Sequence, residues 1–330
     1  GDPSPHLMAI LSIISLVLAY FSWRFIEKPF RNRALFTRKK IISTSILCLI
    51  FFISIGLTGH YNNGFYKRFN EIEQGVLFLE QKDYKETMEV YGLRRCFIDY
   101  DQKVQILIDE RCVSLEKSKK NQKPRIIVFG DSQAAHWMSG VRDVFEPYGL
   151  DIEQWTATSC RAIDYPGNSN RCREFYKKFT DDVLPLLKPT DTVILSSRWV
   201  GTLNKVGEQE FLDSVQSTFS MLKDSGASVI ILGNAPEFTK SPFESVVRLG
   251  LSNSEQIFLR SENFLVVNGI LKSTSQEFGF SYFSPTDIMC KATQRLDCLI
   301  RNSGDFLYFD GGHLSTEGSK YVFKKLNVLE

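Results

Sequence analysis

Residues 125–133, RIIVFGDSQ, begin with a short apolar run and end in Gly130-Asp131-Ser132-Gln133, where a helical pattern over residues 132–145 takes over. An apolar run of this length bounded by a turn signal is a buried strand, so the stretch predicts strand, tight turn and helix. The same alternation continues outward. Residues 152–158, 192–197 (TVILSS), 229–232 (VIIL) and 280–283 are strand-like, and residues 171–187, 208–222, 254–278 and 316–326 are helix-like. Alternating strands and helices predict a parallel five-stranded sheet with helices on both faces. Loops at the carboxyl ends of its strands then build the site, where strand order reverses. Residues 236–250 lack a clean period and are expected to be an insertion near that working face.

The chain has 330 residues, of which 43% are hydrophobic and 24% charged, and 40 basic against 38 acidic side chains give a net charge of +2. Such a composition excludes disorder and collagen-like repeats. The near-neutral balance also lacks the basic footprint of a nucleic-acid binder.

The average hides a lipid-like beginning. Residues 7–26 and 41–57 are nearly continuous apolar stretches, and a helix of roughly 20 residues spans the ~30 Å hydrocarbon layer. Buried core helices would need amphipathic partners, which the surrounding sequence does not supply. Tyr20, Trp23 and Arg24 suit the lipid interface, and Lys28, Arg31, Arg33, Arg38, Lys39 and Lys40 face a single acid, Glu27, in the connecting loop. The positive-inside rule places that loop in the cytoplasm and everything after His60 on the far side of the membrane. The chain opens on Gly-Asp-Pro-Ser-Pro, with no initiator Met or basic flank, and is expected to be a fragment of a longer protein.

Cysteine usage points the same way. Cys48 lies in the second apolar stretch, and the other six cysteines form three close pairs: Cys96 with Cys112, Cys160 with Cys172, and Cys290 with Cys298. Six cysteines allow 15 connectivities, and in an oxidising compartment bridges between near neighbours are the economical expectation. Closing a 15-residue loop stabilises by about 3 kcal/mol in the chain-entropy model. Zinc is the competing use, but there is no CxxC, and beyond His60 the histidines are His136 and His313 alone. The resulting division is 1–60 membrane, 61–123 a polar linking extension with a helix around residues 71–91 and the basic run KSKKNQK, and 124–330 the α/β domain. The extension reads as a spacer, with gating or guiding of an acceptor as the alternative.

Two motifs carry chemistry. Ser132 follows a strand and opens a helix, so its hydroxyl lies at the positive helix end beside backbone N–H groups able to hold an oxyanion. The same position also suits a plain helix cap. Near the other end stands Asp310-Gly311-Gly312-His313-Leu314-Ser315. Serine is a poor nucleophile until a histidine takes its proton, and a carboxylate that fixes the imidazole completes the set. Asp310 and His313 are spaced for one tight turn, which Gly311 and Gly312 are expected to permit. His136, one helical turn beyond Ser132, is a rival base without a partner acid at a telling spacing. Trp137, Trp155 and Trp199 are candidates for stacking on sugars or, more simply, for the core.

GDS near the start and DxxH near the end resemble the first and last blocks of the SGNH hydrolase superfamily, over roughly residues 124–330. The resemblance implies a flavodoxin-like sheet and a catalytic triad of Ser132, Asp310 and His313. That family usually has Leu or His where this chain has Gln133. It completes its oxyanion hole with a glycine N–H after the second strand and an Asn side chain after the third. Those places hold Thr158-Ser159-Cys160 and Ser197-Arg198-Trp199 here, so the expected donors are the N–H groups of Ser132 and Ser159 and the side chain of Arg198. An Arg198 paired with a nearby acid, and a Trp199 that only packs, are the alternatives.

Residues 22–31, SWRFIEKPFR, resemble the WxxIExPxR end of an acyltransferase family 3 membrane domain. Together the two resemblances imply a bacterial acyltransferase–SGNH fusion: an O-acetyltransferase acting on a surface polysaccharide, the O-antigen of lipopolysaccharide. Its partners would be that polysaccharide, the acyltransferase membrane domain of the same chain, and the lipid bilayer. The location would be the inner membrane, with residues after about 60 in the periplasm. No metal or bound cofactor is implied for this stretch, and acetyl-CoA would be the cytoplasmic donor of the whole enzyme. The alternatives are a carbohydrate acetylesterase and a catalytically silent polysaccharide-binding domain.

Overall fold

The computed structural model describes residues 5–28, 37–62, 64–65, 87–110, 112–113, 115, 123–238, 241–242, 245, 256–258, 263–292, 296–303 and 305–328. Most of the expected 71–91 helix, the basic run apart from Lys123, and most of residues 236–250 lie outside them. The chain divides into two units, Gly1–Asn70 and Glu71–Glu330.

The first unit contains α1 (Pro5–Ser22), which continues as a π-helical turn over Trp23–Glu27, and α2 (Arg38–Tyr61). The stretches Leu7–Phe25 and Arg38–Tyr61 are long and apolar enough to cross a membrane. Their large apolar side chains are exposed, as helices that are apolar on every side require when lipid is the solvent. Ser12, Ser15, Ser54 and Thr58 each donate their hydroxyl to the carbonyl four residues earlier. Such bonds leave no polar hydrogen seeking water.

In the second unit the elements follow in the order β1 (Phe97–Ile98), α3 (Ile106–Asp109), β2 (Arg125–Gly130), α4 (Ser132–Ala135), α5 (Met138–Phe145) and β3 (Asp151–Ala157). Then come α6 (Asn170–Lys178), β4 (Thr192–Ser196), α7 (Trp199–Val206), α8 (Glu208–Asp224), β5 (Ser228–Leu232) and β6 (Gln256–Phe258). The last are α9 (Asn263–Phe278), β7 (Ser281–Phe283), α10 (Pro285–Met289), β8 (Cys290–Ala292), β9 (Leu296–Leu299), β10 (Arg301–Asn302), β11 (Asp305–Phe306) and α11 (Thr316–Lys325).

The central sheet is parallel, in the order β1-β3-β2-β4-β5-β7. It has six strands, not the five expected. The extra one, β1, comes from residues 61–123, where two residues are too few to leave a periodic signal. Three more differences are local. The helix after β2 breaks at His136-Trp137, the strand β6 pairs with β9 where a helix was expected to begin, and α7 is an added helix before α8.

Alternation along the strands divides the core between the two faces. Ile127 and Phe129 of β2 pack with Trp155, Leu195, Ile231 and the apolar stripes of α6, α8 and α9. Ile126 and Val128 face the other way, onto Trp137, Met138 and Val141 and onto Val322 and Phe323 of α11. Disulfides join Cys96 to Cys112, Cys160 to Cys172, and Cys290 to Cys298, the last across the paired strands β8 and β9. Cys48 is free and exposed.

Helices α5 and α11 meet at Gly140, whose N–H donates to Ser319 Oγ at 2.9 Å. A Cβ there would lie 2.4 Å from Phe323 Cβ and 2.6 Å from Ser319 O. Gly140→Ala is therefore expected to lower stability by roughly 1–3 kcal/mol despite its better helix propensity. Urea unfolding checks this through a lower midpoint at unchanged slope.

Candidate active site

β2 lies at the centre of the sheet, with β3 on one side and β4 on the other. The connection leaving β2 runs to β3 on one side and the connection leaving its neighbour β4 runs to β5 on the other, so the carboxyl ends of β2 and β4 are the switch point of a doubly wound fold. Gly130 closes β2 there with φ +151°, and a Cβ on it would lie 1.8 Å from Ser196 O of β4. Only glycine fits so close an approach. Asp131 then caps α4, its Oδ1 accepting from Gln133 N at 2.7 Å, which leaves Ser132 as the first helical residue.

The second motif is the tip of a tight hairpin. Tyr308 bridges Leu314, and Phe309 N donates to His313 O. Gly311 and Gly312 were expected to make this turn by their conformational freedom, yet neither has a positive φ. Asp310 does the work instead, as Oδ1 accepts from the N–H groups of both Gly312 and His313 at 2.7 Å. This is the local side-chain bonding for which Asp is favoured in turns.

The two motifs meet. His313 Nε2 is 2.8 Å from Ser132 Oγ, and His313 Nδ1 is 2.8 Å from Asp310 Oδ2. Gln133, the departure from the usual block, donates from Nε2 to Gly312 O at 2.6 Å and so ties the helix of Ser132 to the turn of His313. These are the contacts of a hydroxyl, a base and an orienting acid.

A family model described as an SGNH domain fused to AT3 domains matches residues 95–327. The chain belongs to that family. Among solved structures, the SGNH domain is similar to the lipopolysaccharide acetyltransferase periplasmic domain of Salmonella ser. Paratyphi A. That match has 18% identity and a TM-score of 0.59, covering 79% of this chain and 97% of that one. A GDSL-like lipase from Bacteroides thetaiotaomicron matches at 14% identity and a TM-score of 0.39, covering 64% and 91%. No curated protein sequence matches.

The SGNH domain places the remaining candidates as follows. Ser159 stands in the left-handed region at φ +61° on the loop after β3, and no acceptor among the described residues takes its N–H or that of Ser132. Arg198 donates its backbone N–H to Asp131 Oδ2 at 3.0 Å, and its Nε and Nη2 grip Glu237 at 2.7–3.0 Å. The pairing with a nearby acid is thus the contact present. Trp137, Trp155 and Trp199 are wholly buried, with their indole N–H groups on Ser196 Oγ, Phe175 O and Leu232 O. They belong to the core and offer no face to a sugar.

Further residues that the sequence did not single out shape the site. Asp131 accepts from Arg161 Nη1 as well as from Gln133 and Arg198. Glu237 holds Arg198, and Phe238 N donates to Gly311 O at 2.6 Å. Tyr91 donates from its hydroxyl to Leu314 O at 2.9 Å, and Phe309 stacks on the His313 ring at 5.6 Å. Only the order Asp-Ser at 131–132 hinted at the first, because Asp is a favoured cap.

Ser132, Ser159, Arg198, Asp310 and His313 line one cavity of about 610 Å³. Its further wall comes from Met88, Tyr91, Leu93, Phe97, Asp99 and Tyr100, all within the stretch that reads as a linking extension. Among the described residues no group of His, Cys, Asp or Glu is placed to hold a metal ion.

Burial pulls the His313 pKa down, but the hydrogen bond and charge of Asp310, with Asp131 and Glu237 behind it, outweigh burial and raise it. Asp310 is pushed up by burial and brought down further by His313 and the two N–H groups, so its net shift is downward. His136 is wholly buried with neither ring nitrogen bonded, and burial, then the charge of His313, holds it far below the ordinary range. An NMR titration is expected to show His313 protonating above about 6.5 while His136 stays neutral. In Asp310→Asn the His313 pKa falls, because a neutral amide no longer favours the imidazolium.

Proposed function

We propose that the chain is the SGNH-bearing part of an O-acetyltransferase that moves an acetyl group onto a sugar hydroxyl of a bacterial surface polysaccharide. The observation that carries this is the continuous hydrogen-bonded series Asp310–His313–Ser132 opening on a cavity. A binding domain that had lost its chemistry would have no reason to keep all three groups in register.

In the first half-reaction Ser132 Oγ attacks the acetyl carbonyl carbon while His313 Nε2 takes the hydroxyl proton. Asp310 holds Nδ1–H, so that Nε2 carries the lone pair and the imidazolium that forms is stabilised. The oxyanion lies against the Ser132 N–H, at the start of α4, and against the Ser159 N–H on the facing loop. Arg198 borders the same cavity. Collapse expels the donor's leaving group, which receives the proton from His313, and leaves acetyl on Ser132. In the second half-reaction His313 takes the proton of a sugar hydroxyl, whose oxygen attacks the acetyl carbon. Ser132 then leaves with the proton returned.

Acetyl transfer, as against another acyl group, is supported by the lipopolysaccharide acetyltransferase domain whose fold this chain shares. O-antigen is the acceptor that this neighbour suggests. Membership in SGNH domains fused to AT3 domains supports a membrane partner in the same protein, which would pass acetyl from cytoplasmic acetyl-CoA to Ser132. Two helices able to cross a membrane, joined by a basic loop, support an inner-membrane location with the residues after about 60 in the periplasm.

Mass spectrometry of the protein incubated with an activated acetyl ester and a bacterial oligosaccharide tests this. Acetyl is expected on the oligosaccharide, and Ser132→Ala or His313→Ala should lower its formation by at least about 10³-fold. His136→Ala, which removes no member of the hydrogen-bonded series, should retain most of it. Ser132-dependent free acetate without acetylated sugar would assign an esterase. Loss with His136→Ala but not with His313→Ala would reverse the choice of base.

A further inference from the structure

The wall contributed by residues 88–100 is more than a lid on the cavity. Two of its aromatic rings, Tyr91 and Phe97, are buried together with the facing Phe309 and support the fold. Tyr100 is different, being 67% exposed at the rim.

An exposed tyrosine usually rotates freely, but this one is fixed. Its hydroxyl is 2.6 Å from Ser159 Oγ, and the guanidinium of Arg171 lies over its ring at 5.7 Å. Arg171 in turn donates to the carbonyls of Ile98, Asp99 and Thr158, which locks the segment carrying Tyr100 onto the end of β3. Asp99, its neighbour, also lines the cavity, and its Oδ1 accepts from the Tyr100 N–H at 2.8 Å. The result is an aromatic ring held at its hydroxyl, with a cation over one face, 67% exposed and beside a carboxylate.

We propose that Tyr100 is the platform on which the acceptor sugar stacks, with Asp99 accepting from its hydroxyls. The inference rests on the acetyl-transfer reading above. A pyranose has an apolar C–H face and a rim of hydroxyls, which an aromatic face and a carboxylate acceptor match. The platform is bonded directly to Ser159, whose N–H is one of the two groups proposed to hold the oxyanion. A sugar seated there shares the cavity with Ser132 and His313, and a cavity of about 610 Å³ holds a ligand of one or two sugar rings. Acetyl-enzyme is open to attack by either sugar or water. Stacking raises the local concentration of sugar hydroxyl at His313 and excludes water, so Tyr100 is a specificity-determining residue for transfer over hydrolysis.

The test measures the fate of acetyl in the full-length membrane protein supplied with 4-nitrophenyl acetate and base-de-O-acetylated O-antigen polysaccharide from its own bacterium. Acetylated polysaccharide and free acetate are quantified together. Tyr100→Ala is expected to raise the ratio of free acetate to acetylated sugar about 10-fold, with a higher KM for polysaccharide, and Tyr100→Trp should restore both. If Tyr100→Ala lowers both products in equal proportion, or leaves the ratio and KM unchanged, the platform is overturned and the transfer reading stands. If Ser132→Ala still acetylates the polysaccharide, or the unaltered protein yields only acetate at every polysaccharide concentration, the transfer reading itself falls and takes the platform with it.

Discussion

A carboxylate without solvent is tolerated only when its oxygens are filled by donors, and Asp131 meets that demand from three directions. Its Oδ1 takes Gln133 N–H at the start of α4, and its Oδ2 takes Arg161 after β3 and the backbone N–H of Arg198 after β4. Arg161 also reaches Thr202 Oγ1 in α7. The carboxyl ends of three neighbouring strands are thereby tied to a single buried charge at the switch point of the sheet. Ser132 follows Asp131 immediately, so its hydroxyl inherits the rigidity of this knot. Taking Gln133 N–H as its cap bond also leaves Ser132 N–H without an acceptor among the described residues.

A similar economy governs the acid. Asp310 uses one oxygen to fold its own turn and the other to orient His313. The turn that brings the histidine into place and the electrostatics that raise its basicity thus come from the same side chain. Tyr91, Phe238 and Gln133 then bond Leu314 O, Gly311 O and Gly312 O, so the hairpin tip is pinned by three separate segments. A histidine whose ring must meet a hydroxyl at 2.8 Å needs that restraint, since small misplacements cost large factors in rate.

The parts of this arrangement that follow local rules were legible in the sequence. RIIVF announces a buried strand, Asp131-Ser132 a helix entry, and Asp310 with His313 a pair on one turn. What long-range contact decides was not. β1 is a strand of two residues that exists because Thr158 N, Arg94 N and Arg171 find acceptors along it. Arg198 occupies the place of a family oxyanion donor, but the partner that claims it, Glu237, lies 39 residues away and gives no sign of it in the sequence. The three tryptophans were ambiguous for the opposite reason, since the same ring serves a core or a sugar and only burial separates the two.

The stretch expected to be a spacer, with guiding of an acceptor as the alternative, is the most consequential of these cases. Cys96 is bonded to Cys112 within the segment, Cys96 O accepts from Thr156 Oγ1, and Tyr91 O accepts from Gln154 Nε2, so a covalently closed loop is fastened to β3 by polar bonds. A loop held that firmly is part of the site's wall and not a tether. The Ser–His–Asp series acts in the same way on either nucleophile, and the triad cannot tell sugar from water. Discrimination must come from groups that touch the acceptor and not the acyl carbon. In this domain the wall of the cavity that holds Ser132 and His313 includes Tyr91, Asp99 and Tyr100, on a segment that precedes β2 and lies outside the five-stranded core that the sequence pattern predicts. On the transfer reading proposed above, that placement separates the two demands: the sheet fixes the chemistry, and the added segment is left to determine what receives the acyl group.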